Sequence, residues 1–224
     1  MRLLEQFYGV IAPSLCLRCG QEGSLLCAWC SEDALPEQIE RCYRCNKLSN
    51  DSRTCTACRR HTAIGHLWVR SEYSDTARLL VHAMKFKYSG EAADRIAKEL
   101  AHTIPALPPH TLVVPIPTVT SHVRQRGFDH SSRIAKCLAR PAGLRCLPAL
   151  MRFGQKRQVG SSRRDRLEQV TDAFAVRSSV GVNGERILLV DDVLTTGATL
   201  ESAARALKEA GAKHVDAVIF AKAK

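Results

Sequence analysis

The 224-residue chain carries 33 Lys and Arg against 22 Asp and Glu, a formal charge of +11, and only 5% of its residues are aromatic. That length holds one α/β domain with a small accessory module, and the positive balance favours an anionic partner, either a phosphorylated small molecule or a nucleic acid. No uncharged apolar run is long enough to span a bilayer, and Glu5 and Gln6 fall where a signal peptide has its apolar core, so membrane insertion is excluded and a cytosolic protein is expected.

Leu3, Leu4, Phe7 and Ile11 fall on one face of a short helix over Met1–Ala12, which Pro13 ends. Four CxxC pairs follow: Cys16/Cys19, Cys27/Cys30, Cys42/Cys45 and Cys55/Cys58. A CxxC turn aims two sulfurs at one point, two such turns complete a tetrahedral zinc site, and a reducing cytosol disfavours disulfides. The short gaps within the first two and the last two pairs predict two sequential zinc ribbons, with an interleaved cross-brace as the alternative. Four-cysteine sites are closed, so the zinc is structural, and His61 and His66 are expected on the surface as surplus to the ligand set. Residues 1–62 form this helix and double ribbon, and residues 63–224 a second domain.

The second domain opens with a strand over Leu67–Tyr73 and a helix capped by Asp75 that carries Leu79, Leu80, Ala83 and Phe86. A further helix from Glu91 aligns Ala93, Ile96, Ala97, Leu100, Ala101 and Ile104. Prolines at 105, 108 and 109 precede a strand over Thr111–Ile116, then Pro117, Thr118, a polar loop and a helix through Ile134, Ala135 and Leu138. Cys137 and Cys146 sit among apolar neighbours and are expected to be small buried residues. No Ser/His/Asp or Cys/His constellation is evident.

Ile187–Val190 is a continuous apolar run, suited to a strand covered on both faces of a parallel sheet. Asp191 and Asp192 are expected where that strand leaves the sheet, at the carboxyl end where open α/β sheets bind ligands. Thr195, Thr196, Gly197, Ala198 and Thr199 lead into a helix with Leu200, Ala203, Ala204 and Leu207 on one face and Gly211 at its stop. Unpaired N–H groups and hydroxyls at a helix N-terminus form a pocket for a phosphate. Two carboxylates would repel that phosphate at contact, and are better suited to accept hydrogen bonds from the vicinal hydroxyls of a ribose whose 5′-phosphate lies in the loop. The absence of GK[ST] and of GxGxxG argues against a Walker A loop and a dinucleotide fingerprint. A last strand covers His214–Ala221.

The fourteen residues ILLVDDVLTTGATL resemble the phosphoribosyl pyrophosphate (PRPP) motif of type I phosphoribosyltransferases. The segment V-P-I-P followed by basic residues and RGF, the HAMKF segment at His82–Phe86 and the zinc ribbons in front are similar to the ComF/GntX family of phosphoribosyltransferase-like proteins. The resemblance implies an α/β fold of the type I phosphoribosyltransferase kind, with a parallel sheet flanked by helices behind a small zinc-ribbon module that serves as hood. It implies an Mg²⁺- and PRPP-dependent transferase in which Asp191 and Asp192 hold the ribose diol and carry the chemistry, Thr195 to Thr199 hold the 5′-phosphate, and Pro117, Thr118, Arg124, Arg126 and Gly127 hold pyrophosphate. Mg²⁺ is carried mainly by the ligand's oxygens and water. The family's association with natural competence implies single-stranded DNA and DNA-uptake proteins as partners, and a non-catalytic single-strand-binding module as the alternative function. Asp129 and His130 stand where the family usually has Asn and Gln, which sets a negative charge beside the pyrophosphate; Gln169 stands where it often has Asn. Basic residues cluster over Met151–Arg166, read as a lid over PRPP, a contact to a nucleic-acid backbone or a solvated loop.

Overall fold

The structure, a computed structural model, describes residues 13–36, 38–87, 89–118, 129–153 and 173–223. The expected helix at 1–12, the loop with Arg124, Arg126 and Gly127, and the basic segment beyond Phe153, at 154–166, lie outside these residues. In chain order the strands are β1 (Leu67–Glu72), β2 (Thr111–Pro115), β3 (Arg145–Cys146), β4 (Leu150–Arg152), β5 (Phe174–Val176), β6 (Arg186–Leu194) and β7 (His214–Lys222). The helices are α1 (Ala28–Ala34), α2 (Thr56–Arg59), α3 (Asp75–Phe86), α4 (Gly90–Thr103), α5 (His130–Ala139) and α6 (Ala198–Glu209).

Five strands form one parallel sheet in the order β1-β7-β6-β2-β3, and β4 and β5 form a separate antiparallel pair. Side chains alternate across a strand, and here the alternation sorts two cores. Leu188, Val190, Val218 and Phe220 pack with Leu80 and Met84 of α3, Ile96 and Leu100 of α4, and Ile134 and Leu138 of α5. Ile187, Leu189, Ala217 and Ile219 pack on the other face with Leu200, Ala203, Ala204 and Leu207 of α6 and with Leu150 and Phe174 of the β4–β5 pair. Burial on both faces accounts for the unbroken apolar run in β6. Helix α6 ends before Gly211, whose φ of 92° is open to glycine at little cost; a Cβ there would also lie 2.4 Å from Asn183 Oδ1. Among the described residues, no helix is long and apolar enough to cross a membrane.

Three local expectations are corrected. Ser74, not Asp75, occupies the N-cap of α3, and that helix buries Thr76, Ala77, Leu80, Val81, Ala83 and Met84 while Leu79 and Phe86 stay exposed. Residues three and four apart share a face, and Ala77, Leu80, Val81 and Met84, related by those spacings, form the face that joins the core shared with α4 and the sheet. Strand β6 does not end at the carboxylates: Val193 and Leu194 remain in register with Ala221 and Lys222 of β7, so the ladder continues past Asp192. Cys137 is not purely apolar, because its thiol donates to Asp94 Oδ1 at 3.1 Å; burial, then Asp94, pushes it up to about 11.

The two cysteine-rich segments dock on opposite faces of the sheet. Cys16, Leu26, Cys30 and Leu35 join the core of α3, α4 and α5, whereas Tyr43 and Ile64 join that of α6. On the first face, Ser31 Oγ donates to Glu99 Oε1 at 2.6 Å, Arg70 Nε meets Glu99 Oε2 at 2.9 Å, and Arg95 completes the cage around this buried carboxylate. Burial alone would raise the Glu99 carboxyl, but the Ser31 hydroxyl and the two arginines outweigh it and hold it below the usual range. His66, expected on the surface, is half-buried: its Nδ1 lies 2.9 Å from Asp216 Oδ1 and its ring stacks on Trp68, tying the end of the second cysteine segment to β7. His61 is exposed as expected.

Candidate functional site

The carboxyl ends of β2 and β6, the N-terminus of α6 and the end of α3 converge on a cleft of about 350 Å³. Asp191, Asp192, Thr195, Gly197 and Thr199 line it, with Pro117 and Thr118 across from them. Thr196 and Ala198 do not line it; Thr196 Oγ1 instead accepts the Ala198 N–H at 3.4 Å within the loop. Gly197, the N-cap of α6, has a φ of 80°, which a side chain adopts only with strain. The N–H groups of residues 197–200 precede the first i→i−4 bond of α6, from Glu201 to Gly197, and bring the positive end of its dipole to this cleft. A larger cleft of about 850 Å³ runs along β1 beside residues 38–46, but it holds none of the expected acid pair or phosphate loop. The smaller cleft is therefore the candidate, on chemistry rather than size.

The two carboxylates have different surroundings. Asp192 continues the even-numbered face of β6 and is buried at 4% exposure, with Lys85 Nζ of α3 at 2.5 Å from its Oδ2 and His130 Nε2 of α5 at 3.6 Å. Asp191 keeps part of its surface toward the cleft, while its Oδ1 accepts the Asp192 backbone N–H at 2.9 Å and the Ser131 hydroxyl at 3.4 Å. Burial first, and the Asp192 charge second, push the Asp191 carboxyl up to about 8, against the opposing pull of the Asp192 N–H and Lys85. A carboxyl poised near neutrality can both accept from and donate to a hydroxyl.

Asp129 is occupied locally. As N-cap of α5 its Oδ1 accepts the Ser132 N–H at 3.3 Å and the Thr118 hydroxyl at 3.2 Å. Its charge thus sits on the positive end of α5, which tempers the repulsion expected from its sequence position. His130 is buried against Asp192.

Three residues of the cleft with ionisable side chains are not marked as site residues by the sequence: Lys85, His130 and Arg152. Lys85 lies within the HAMKF segment, yet nothing local announces a partner more than one hundred positions away. Arg152, seen in sequence only as part of a basic cluster, ends β4 with its guanidinium 5.4 Å from the centroid of the Phe174 ring.

The eight expected metal ligands fall into two sequential groups, Cys16, Cys19, Cys27 and Cys30, then Cys42, Cys45, Cys55 and Cys58, with the sulfurs of each within 4.8 Å of one another. A tetrahedral Zn²⁺ with Zn–S bonds of about 2.3 Å spaces its sulfurs by about 3.8 Å. Cys19 and Cys27 Sγ lie 3.8 Å apart and Cys45 and Cys55 Sγ 3.6 Å, so either cluster could hold the ion. Burial raises the Cys16 thiol, but N–H groups of Cys19, Cys27 and Arg18 outweigh it and bring it down to about 6. Cys42 is brought to about 6 in the same way by N–H groups of Cys55, Cys45 and Arg44. Each cluster therefore has a first sulfur disposed to be thiolate, the form that binds metal.

Compared with known proteins, residues 152–224 match the phosphoribosyl transferase domain family. The chain is 26% identical to competence protein ComFC of Bacillus subtilis (strain 168), over 91% of this chain and 92% of that protein. It is 28% identical to competence protein ComFC of Streptococcus pneumoniae, over 89% and 96% of the two chains. It is 27% identical to DNA utilization protein YhgH of Salmonella typhi, over 91% and 94%.

Proposed function

We propose that this chain, a phosphoribosyltransferase-like protein of the ComF type by its domain match, its chain-long relatives and its paired four-cysteine clusters, binds a 5-phosphoribosyl ligand, PRPP or a close relative, and transfers or presents that group in DNA uptake. The observation that carries this reading is the convergence of Asp191 with Thr195, Gly197 and Thr199 at the N-terminus of α6, in one cleft with Pro117 and Thr118. The α6 N–H groups and the threonine hydroxyls take the 5′-phosphate. Asp191 takes the ribose hydroxyls, and Asp192, anchored by Lys85, fixes the backbone from which Asp191 projects and supplies the second carboxylate of the pair. Pro117 and Thr118 face the pyrophosphate, and Arg124, Arg126 and Gly127 are assigned to its binding by the sequence resemblance alone. Mg²⁺, bound mainly through the ligand's oxygens and water, supplies charge neutralisation of the pyrophosphate. Residues 1–62 are the zinc-binding part and residues 63–224 the phosphoribosyl-binding domain; among the described residues, none of 13–62 lines the cleft. The names of the relatives, competence and DNA utilization proteins, support the place in DNA uptake, with single-stranded DNA and uptake proteins as partners in the cytoplasm.

Calorimetry of the zinc-loaded protein with PRPP and Mg²⁺, beside an Asp191→Asn variant, tests this. Saturable binding that weakens about two- to tenfold in the variant is expected, since the loss of one hydrogen bond is worth about 0.5–1.5 kcal/mol. A folded, metal-replete wild type that gives no heat with PRPP overturns the reading and leaves nucleic-acid binding as the function. Fluorescence anisotropy with a single-stranded oligonucleotide then decides that case by its salt dependence.

A further inference from the structure

The second four-cysteine cluster is joined to the candidate phosphate loop by the residues inside its own first turn. Tyr43 and Arg44 are the two residues between Cys42 and Cys45, and both reach Glu201. The Tyr43 hydroxyl donates to Glu201 Oε1 and shares a hydrogen bond with the Thr62 hydroxyl, which in turn accepts the Ile64 N–H at 3.0 Å. Arg44 Nη1 lies 3.4 Å from the same Oε1, and the Ala63 N–H reaches Oε2 at 3.3 Å. Glu201 is in the first turn of α6, its N–H bonded to the Gly197 carbonyl at 2.9 Å, and its side chain is only 14% exposed. The Tyr43 ring also approaches Gly197, within 3.9 Å of where a Cβ would stand.

An acid in the first turn of a helix is ordinarily a dipole partner facing water. Glu201 instead takes three donors from one neighbouring segment, and that segment is the one whose shape a metal would set. The positions of Tyr43 and Arg44 follow from the turn wound about Cys42, and small cysteine modules of this kind become ordered with their metal.

We infer that metal occupancy of the second cluster controls the candidate phosphate loop: the loaded Cys42–Cys45 turn holds Glu201 through Tyr43 and Arg44, and with it the Gly197–Thr199 end of α6 in its binding geometry. Glu201 is thus a positioning residue. This regulation rests on the phosphoribosyl reading only for the identity of the ligand; the clasp itself belongs to the ligand-free chain. The first cluster, docked on the opposite face through Ser31 and Glu99, has no such contact with α6 among the described residues. By linkage the effect is reciprocal, so a ligand in the loop retains metal in the second cluster.

The test uses the full zinc-loaded chain as wild type, Tyr43→Phe/Arg44→Met, Cys45→Ser and Cys19→Ser, with metal content, amide hydrogen exchange and PRPP calorimetry on each. The Tyr43→Phe/Arg44→Met protein keeps all eight cysteines and Glu201, so it should retain two metal ions per chain while the amides of residues 201–203 exchange about tenfold faster without ligand. PRPP affinity should fall by a factor in the roughly 5- to 150-fold range usual for coupled sites. Cys45→Ser should do the same with one metal lost, and Cys19→Ser should lose one metal with exchange in α6 unchanged. Unchanged exchange at 201–203 in both second-cluster variants overturns the inference, as does equal loosening by Cys19→Ser. If the wild type does not bind PRPP, the phosphoribosyl reading fails by itself and the exchange data still decide the clasp.

Discussion

Replacing Lys85 with Met should destabilise the fold far more than a surface lysine would. The Lys85 ammonium stands 2.5 Å from Asp192 Oδ2, with side-chain exposures of 22% and 6%. Methionine preserves most of the packing volume but leaves the Asp192 carboxylate in a buried site without its cation. Breaking a buried pair from one side costs about 3–5 kcal/mol, and the partial exposure of Lys85 argues for the lower end. At ~2–4 °C per kcal/mol for a chain of this size, the melting temperature should fall by about 6–12 °C. Urea unfolding of the zinc-loaded protein can be followed by tryptophan fluorescence, because Trp68 is 7% exposed and Trp29 is 76% exposed, so the change reports chiefly on β1. The double variant Lys85→Met/Asp192→Asn removes both charges and should recover part of the loss, giving a coupling energy of about 1–3 kcal/mol. A loss below about 1 kcal/mol for Lys85→Met, or strictly additive single effects, would refute the claim that this pair anchors the end of β6.

Asp191 sets a pH dependence. Its folded carboxyl is raised above the ordinary 3.8 to about 8, so its neutral form suits the fold, and stability from this group is complete below pH 4 and lost as pH rises through 8. Asp191→Asn should flatten that decline in urea midpoints taken from pH 5 to 8, and an unchanged slope would count against the assignment. Glu99 has the opposite sign: its carboxyl is held below the usual 4.5, so its contribution is present above that value and lost as pH falls through the lowered pKa. Glu99→Gln should be less stable at pH 7 and should narrow the gap to wild type in acid, measured by the same midpoints. Gly197→Ala introduces no clash, the nearest atom to its Cβ being Leu194 Cδ1 at 3.8 Å. Its expected cost of about 1–2 kcal/mol therefore comes from the left-handed backbone, and a urea midpoint identical to wild type would show that the loop relaxes. Stripping metal with a chelator should abolish the ordered amide protection of residues 16–30 and 42–58, read by hydrogen exchange.

Much of the candidate site is legible in the amino-acid sequence because its parts are local. A metal turn needs two cysteines three residues apart, and a phosphate loop needs glycine and hydroxyls ahead of an amphipathic helix. Both signals lie within about fifteen positions, so Cys16 to Cys58 and Asp191 to Thr199 can be read directly. The end of β6 is not local in this sense: its ladder to β7 carries the strand past the carboxylates, and the partners of Val193 and Leu194 are Ala221 and Lys222. The buried face of α3 escapes sequence reading for a related reason: two stripes satisfy helical spacing, and only packing against α4 and the sheet selects one.

The sequence by itself determined four CxxC pairs and two carboxylates on an apolar strand followed by a threonine- and glycine-containing turn into a helix, since turn chemistry and side-chain period act between near neighbours. Only the tertiary structure decided that Asp192 is bound to Lys85 while Asp191 opens on the cleft, that Asp129 serves as a helix cap, and that the two modules sit on opposite faces of the sheet. It also brought Tyr43 to Glu201 across 158 positions. Such pairings depend on which face of each element is buried and against what, and a carboxylate in a sequence carries no mark of the cation that folding will place beside it.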